Sequence, residues 1–340
     1  MKRLVCLLLV CLLLSGCMAT GTPAETKVYE ATFLTLFDTV TVVKGSAESK
    51  EAFTAIAQSI HDELEKYHQL FDIYNDYEGV TNLKTVNDSA GEGPVTVDCA
   101  IIELLLDCKS YYDLTGGRVN VAMGSVLNLW HEAREEGFND PMNARLPDID
   151  ALRNAAMYTS FDSIIIDEDA STVEITDPDV RLDVGAIAKG WSTQRIAEHA
   201  PAGLMISVGG NVCCTGPKDS LGTPWVVGIQ NPDGDKYLHT IYVSGGSVVT
   251  SGDYQRFYVV DGVRYHHIID PDTLYPGTFW RSVTIVCDDS GLADALSTAL
   301  FLLPLEEGQN LLDQCGAEAM WLDAEGNQHY SAGFDALIRT

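Results

Sequence analysis

Residues 181–190 read Arg-Leu-Asp-Val-Gly-Ala-Ile-Ala-Lys-Gly, and the segments on either side decide how they fold. Upstream, 163–166 and 173–175 are short β-branched runs that predict strands; downstream, 191–200 (WSTQRIAEHA) predicts a helix. The decapeptide is then a strand-to-helix turn, where the first backbone N–H groups of a helix lack partners and attract anions. Gly185 lets a ligand approach the backbone closely, and Lys189 adds a point charge that suits phosphate. An Asp in front of a helix also serves as a plain N-cap, so Asp183 alone decides nothing.

Outward from this turn, strands and helices are interspersed. Residues 28–43 predict strands with a break near Phe37-Asp38-Thr39, and 48–71 carries helical periodicity through Phe53, Ile56, Ile60, Leu64 and Tyr67. The polar stretch 72–90 predicts a long loop, of the kind that is often functional. A helix is predicted over 97–114; 119–130 follows a Gly116-Gly117 break, 131–150 reads as a charged surface connection, and 149–156 as a helix. Further on come strands at 204–208, 225–229, 240–243, 247–250 and 283–286, and helices at 292–303, ended by Pro304, and 307–312. A hairpin of 319–322 with 328–330 follows. There is no regular βαβ alternation and no interdomain linker, which predicts an α+β fold with one folded unit over 28–340.

The N-terminus has its own pattern. Lys2 and Arg3 precede an apolar run over 4–14 that is too short to span a membrane, and Leu14-Ser15-Gly16-Cys17 closes it. This predicts a cleaved lipoprotein signal (1–16), a lipid on Cys17 and a small polar tether to residue 27, hence an extracytoplasmic protein anchored to a bacterial membrane through its lipid. Loss of Lys2 and Arg3 moves the formal charge from -28 to -30. Such a surface repels nucleic acid, and a phosphate ligand would need a metal ion or a local Lys or Arg. Besides Cys17, the mature chain holds Cys99, Cys108, Cys213, Cys214, Cys287 and Cys315, too few for a disulfide scaffold and without metal spacing; buried thiols are expected.

Two further stretches bear chemistry. In 254–271 (YQRFYVVDGVRYHHIIDP), Asp261-Gly262 between alternating runs predicts a two-residue hairpin that pairs Val260 with Val263 and, counting outward, Arg256 with His267 on one face. In 293–298 (ADALST), Asp294 and Thr298 stand four apart on one helical face. A carboxylate, a hydroxyl and backbone oxygens are hard ligands suited to magnesium with substrate phosphates, while an Asp near a helix start is also a common dipole partner.

Taken in order, LDVGAIAKGW at 182–191, SVGGN at 207–211, TSGDYQRF at 250–257, HIIDP at 267–271 and ADALSTA at 293–299 resemble the ApbE family of FAD:protein FMN transferases. Phe37-Asp38-Thr39, the Tyr74 loop and Asn128-Leu129-Trp130 are similar to its N-terminal part. The resemblance implies a compact T-fold-like catalytic unit that splits the diphosphate of FAD. It would pass FMN to a Thr or Ser hydroxyl of an acceptor protein and release AMP. It further implies Mg2+ held by the carbonyl of Ala186 with Asp294 and Thr298. Flavin-nucleotide contacts would fall on Phe37, Tyr74, Ala122, Met123, Gly124, Asp183, Lys189, His267, Ile268 and Ser297. His267 is the leading candidate for the base that takes the hydroxyl proton, because an unshifted imidazole titrates near neutrality, and Asp183 is the second. Asp294 would act through the metal. The chain departs from the family wording at VAMG (121–124) and at Leu274, where glycine is usual, which concerns the local turn and the pose of His267. The same contacts would also serve a flavin-capturing lipoprotein without chemistry, or an FAD pyrophosphatase yielding FMN and AMP.

Overall fold

The computed structural model describes residues 27–234 and 236–339. The expected signal, Cys17 and the tether up to residue 26 lie outside them. Among the described residues no helix is long and apolar enough to cross a membrane. In chain order the strands are β1 (Lys27–Leu34), β2 (Val40–Ala47), β3 (Val95–Thr96), β4 (Ile164–Asp167), β5 (Thr172–Ile175), β6 (Leu204–Val208), β7 (Asn211–Cys214), β8 (Trp225–Gln230), β9 (Tyr237–Val243), β10 (Gly246–Gly252), β11 (Phe257–Val260), β12 (Val263–His266), β13 (Ser282–Cys287), β14 (Glu318–Leu322) and β15 (Gln328–Tyr330). The helices are α1 (Lys50–Phe71), α2 (Leu83–Asp88), α3 (Cys99–Leu114), α4 (Gly124–Asn139), α5 (Ile149–Ala155), α6 (Ala188–His199), α7 (Ser290–Phe301) and α8 (Leu305–Leu312).

Eight strands form one antiparallel sheet in the order β1-β2-β6-β7-β10-β13-β14-β15. Because the strand period is two, neighbours in sequence serve opposite faces. Val249, Ile285 and Ala319 enter the main core with α6 and α7, while their sequence neighbours Val248, Val286 and Met320 face a second core under the β8–β9 hairpin. Both faces of the sheet are thus covered, which is why its strands read as apolar runs rather than clean alternations. α1 adds a third core through Phe53, Ala57, Ile60 and Leu64, and its start is set by Ser49, whose hydroxyl accepts from Ala52 N–H. The α+β expectation holds.

Three local expectations are corrected. The stretch 72–90 is not all loop: Asn82 caps α2, and Leu83, Val86 and Asn87 are buried, a helix too short for periodicity to register. The connection 131–150 is helical as far as Asn139, because α4 runs on through charged residues with only Ala133 and Gly137 buried beyond Trp130. Strand β7 was not expected; Gly209 and Gly210 take φ of 58° and 93° and turn β6 straight into it. All six described cysteines are free thiols, four of them buried.

Candidate functional site

The 181–190 turn forms as expected, with α6 starting at Ala188, and it is held from behind by one side chain and two backbone groups remote in sequence. Asn87 of α2 clamps the backbone of Leu182, its Nδ2 donating to the carbonyl at 2.9 Å and its Oδ1 accepting the N–H at 2.7 Å. Asp183 N–H donates to Val121 O at 2.8 Å, and Gly124 N–H to Arg181 O at 2.9 Å. Asp183 is not the helix cap: its Oδ1 accepts Gly185 N–H at 2.8 Å, and α6 has no side-chain cap.

In front of this turn lies a cleft of about 570 Å³, within the range of small-molecule sites. Of the residues expected to form a site, it gathers Phe37, Tyr74, Met123, Asp183, Ala186, Lys189, His267, Ile268, Asp294 and Thr298 on one wall system. Three stand behind it. Ala122 is fully buried, Gly124 packs against the Arg181 carbonyl, and Ser297 is buried with its hydroxyl donating to Asp294 O at 2.9 Å and bonded to Ser251 Oγ at 2.8 Å. These three support the wall rather than line it.

One corner is built by α6 crossing α7. Asp289 caps α7, so Asp294, a turn further in, is released from that duty. Asp294 is 4% exposed, and its Oδ2 accepts Gly190 N–H at 2.9 Å and stands 3.6 Å from Lys189 Nζ. Lys189 Nζ also donates to Gly185 O at 3.3 Å. Gly190 permits the crossing: a Cβ there would fall 2.5 Å from Asp294 Cβ. With Thr298 one turn along and Ala186 at the end of the turn, the donors on offer are a carboxylate, a hydroxyl and a carbonyl oxygen. These are hard ligands, and they fit magnesium.

The other wall comes from the β11–β12 hairpin, α4 and the lip before β2. The hairpin has the expected register, with Val260 opposite Val263 and Phe257 opposite His266, which brings Arg256 beside His267. The Arg256 carbonyl lies 3.3 Å from His267 Nδ1. A carbonyl only accepts, so Nδ1 carries the proton in this bond and Nε2 keeps its lone pair. Burial, and after it the charge of Arg256, push the His267 pKa down to about 3, so the ring is neutral at physiological pH. Asp183 is raised above its ordinary value by burial, opposed by the Gly185 N–H and by His131, Arg256 and Arg134.

The non-glycine at Leu274 does not break the turn that follows His267. Leu274 adopts φ of 63°, donates its N–H to Asp270 O at 2.8 Å, and accepts Trp130 Nε1–H at 2.9 Å. Its side chain is buried in the cluster around Trp130 and Tyr258, so packing offsets the backbone strain. At the lip, Thr35, Phe37 and Asp38 all have positive φ, and Phe37 N–H donates to His68 Nδ1 at 3.3 Å. Sequence reasoning missed His131 and Arg134, which enter the cleft from α4; their three-residue spacing was visible but lay in the stretch read as a connection.

A family model described as the ApbE family matches residues 20–321. An FAD:protein FMN transferase from Treponema pallidum is 35% identical over 277 residues, 76% of this chain and 75% of that protein. One from Klebsiella pneumoniae is 31% identical over 267 residues, 76% of this chain and 79% of that protein. Among solved structures, the ApbE protein from Thermotoga maritima matches with a TM-score of 0.81 at 31% identity, covering 92% of this chain and all of that one.

Proposed function

Because the chain belongs to the ApbE family and is an FAD:protein FMN transferase, we propose that it moves FMN from FAD to a Thr or Ser hydroxyl of an acceptor protein, with Mg2+, and releases AMP. The observation that carries this reading is the convergence of a buried Asp294 facing a half-buried Lys189, and a neutral His267, in one cleft. Asp294, Thr298 and the Ala186 carbonyl would hold the ion, which supplies charge neutralisation at the diphosphate.

The protein's own groups do the rest. Lys189 presents its ammonium to the phosphates from the first turn of α6, and Phe37 and Tyr74 offer aromatic faces to the rings of FAD. His267 Nε2 takes the proton of the acceptor hydroxyl while that oxygen bonds to the phosphorus on the FMN side. The bond from this phosphorus to the bridging oxygen breaks, and the oxygen leaves with AMP. Transfer of this kind needs positioning and electrostatics above all. A lipid on Cys17 would keep the reaction at the outer face of a membrane.

The test is incubation of the mature chain with FAD, Mg2+ and an acceptor protein, followed by in-gel flavin fluorescence and mass measurement of the acceptor. A phosphoester-linked FMN is expected, lost in Asp294→Ala. Free FMN with an unmodified acceptor would make the protein a pyrophosphatase, and unchanged FAD would leave a binding protein.

A further inference from the structure

Two cations on the cleft wall have no carboxylate within ion-pair distance among the described residues: Arg134 on α4 and Arg256 just before β11. Their neighbours differ. Arg118 is paired with Asp270 at 3.0 Å and Asp272 at 2.7 Å, and Lys189 faces Asp294. Arg134 instead donates through Nη2 to His131 Nδ1 at 2.8 Å, a neutral partner that leaves its charge uncancelled. His131 is in turn stacked on Tyr74 with ring centroids 4.7 Å apart, so the guanidinium is held in place. Arg134 feels Arg256 as a like charge; Glu135 and, after it, Asp183 act on Arg134 from a distance, and Asp183 also acts on Arg256. Two arginines brought together in a chain of charge -28 leave a local positive excess waiting for an anion.

On the transferase reading, FAD does not supply that anion. Its two phosphate charges would be answered by Lys189 and the cation that Asp294 would hold, and its flavin, ribityl and adenosine parts are neutral. The reaction has one other reactant. We infer that Arg134 and Arg256 form a carboxylate-binding subsite that docks an acidic side chain of the acceptor segment next to its Thr or Ser. Guanidinium pairs suit this because each can hold a carboxylate through two parallel N–H donors. The arrangement also links docking to chemistry, since the Arg256 carbonyl is the group that holds His267 Nδ1.

The inference rests on the transferase reading, and the experiment separates the two. FAD-loaded protein is titrated with acetylated, amidated Gly/Ala peptides that carry a single Thr and one Asp walked through the flanking positions, each beside its Asn counterpart. At least one Asp peptide should bind about tenfold tighter than its Asn twin, the size of one charge-assisted contact. Arg134→Gln with Arg256→Gln should erase that preference while FAD affinity, read from flavin fluorescence, stays within about twofold. FAD binding without any preference for Asp over Asn overturns the inference alone. A roughly tenfold loss of FAD affinity in the double variant overturns it too, by assigning the arginines to the nucleotide. Failure of the wild type to bind FAD removes the transferase reading and the inference with it.

Discussion

The α6–α7 corner and the wall made by α4 with the β11–β12 hairpin border one cleft, but different forces hold them. At the corner, two backbones touch through Gly190, and Asp294 is fixed by a main-chain N–H in a nearly dry environment. On the wall, side chains hold side chains: His131 steadies Arg134, Arg118 spans Asp270 and Asp272, and Trp130 ties down the Leu274 carbonyl. Close backbone packing leaves little freedom, which suits a fixed ligand set. A lattice of half-exposed polar side chains adapts more readily, which suits a surface that must meet a macromolecule.

That contrast breaks most visibly at Gly190. Gly190→Ala pushes a methyl group into Asp294 and the Ser290 carbonyl, so we expect a loss of about 1–3 kcal/mol in urea unfolding and, from displaced ligands, a rate lower on the order of 10²-fold. Wild-type activity in this variant would show that the corner is not rigid. Asn87→Ala tests the same corner from behind. It orphans the buried N–H and C=O of Leu182, and should cost about 1–3 kcal/mol in thermal or urea unfolding. On the wall the changes should be milder. Leu274→Gly loses a buried side chain worth about 1.5–3 kcal/mol, but relieves a left-handed backbone that costs about 1–2 kcal/mol. The net shift should stay near 1 kcal/mol, read from the urea midpoint.

The subtlest effect is in the pH dependence. His267 has its pKa lowered from 6.5 to about 3 in the fold, so the unfolded chain binds the extra proton across that window. Stability should therefore be complete above about pH 6.5 and fall as the pH drops toward 3. His267→Asn should flatten that part of the melting-temperature profile of the ligand-free protein; an unchanged slope would mean that the ring is solvated.

Legibility followed the same division. The β11–β12 register, and with it the meeting of Arg256 and His267, came from counting outward from Asp261-Gly262, because a two-residue turn leaves no freedom in pairing. The one-turn spacing of Asp294 and Thr298 was equally plain. Helix α2 was lost in a polar stretch because its buried Leu83, Val86 and Asn87 make less than two turns, and α4 was cut short because its last turns are charged. Ala122, Gly124 and Ser297 were placed among the contacts by resemblance, while the structure puts them one layer behind. A residue that shapes a wall and one that lines it can be neighbours in sequence, and only packing tells them apart.

What the chain by itself determined was local or additive: strand period, helix faces, the hairpin turn and the acidic balance of charge. These rest on interactions between residues a few positions apart, or on a simple sum of charge. What only the tertiary structure decided was which distant groups meet. Asn87 grips Leu182 across 95 positions, Gly190 meets Asp294 across 104, and Arg134 and Arg256 arrive from separate elements with their charges unspent. Those meetings depend on how helices pack over a sheet, a long-range balance of buried area and close contact that no short window of sequence contains.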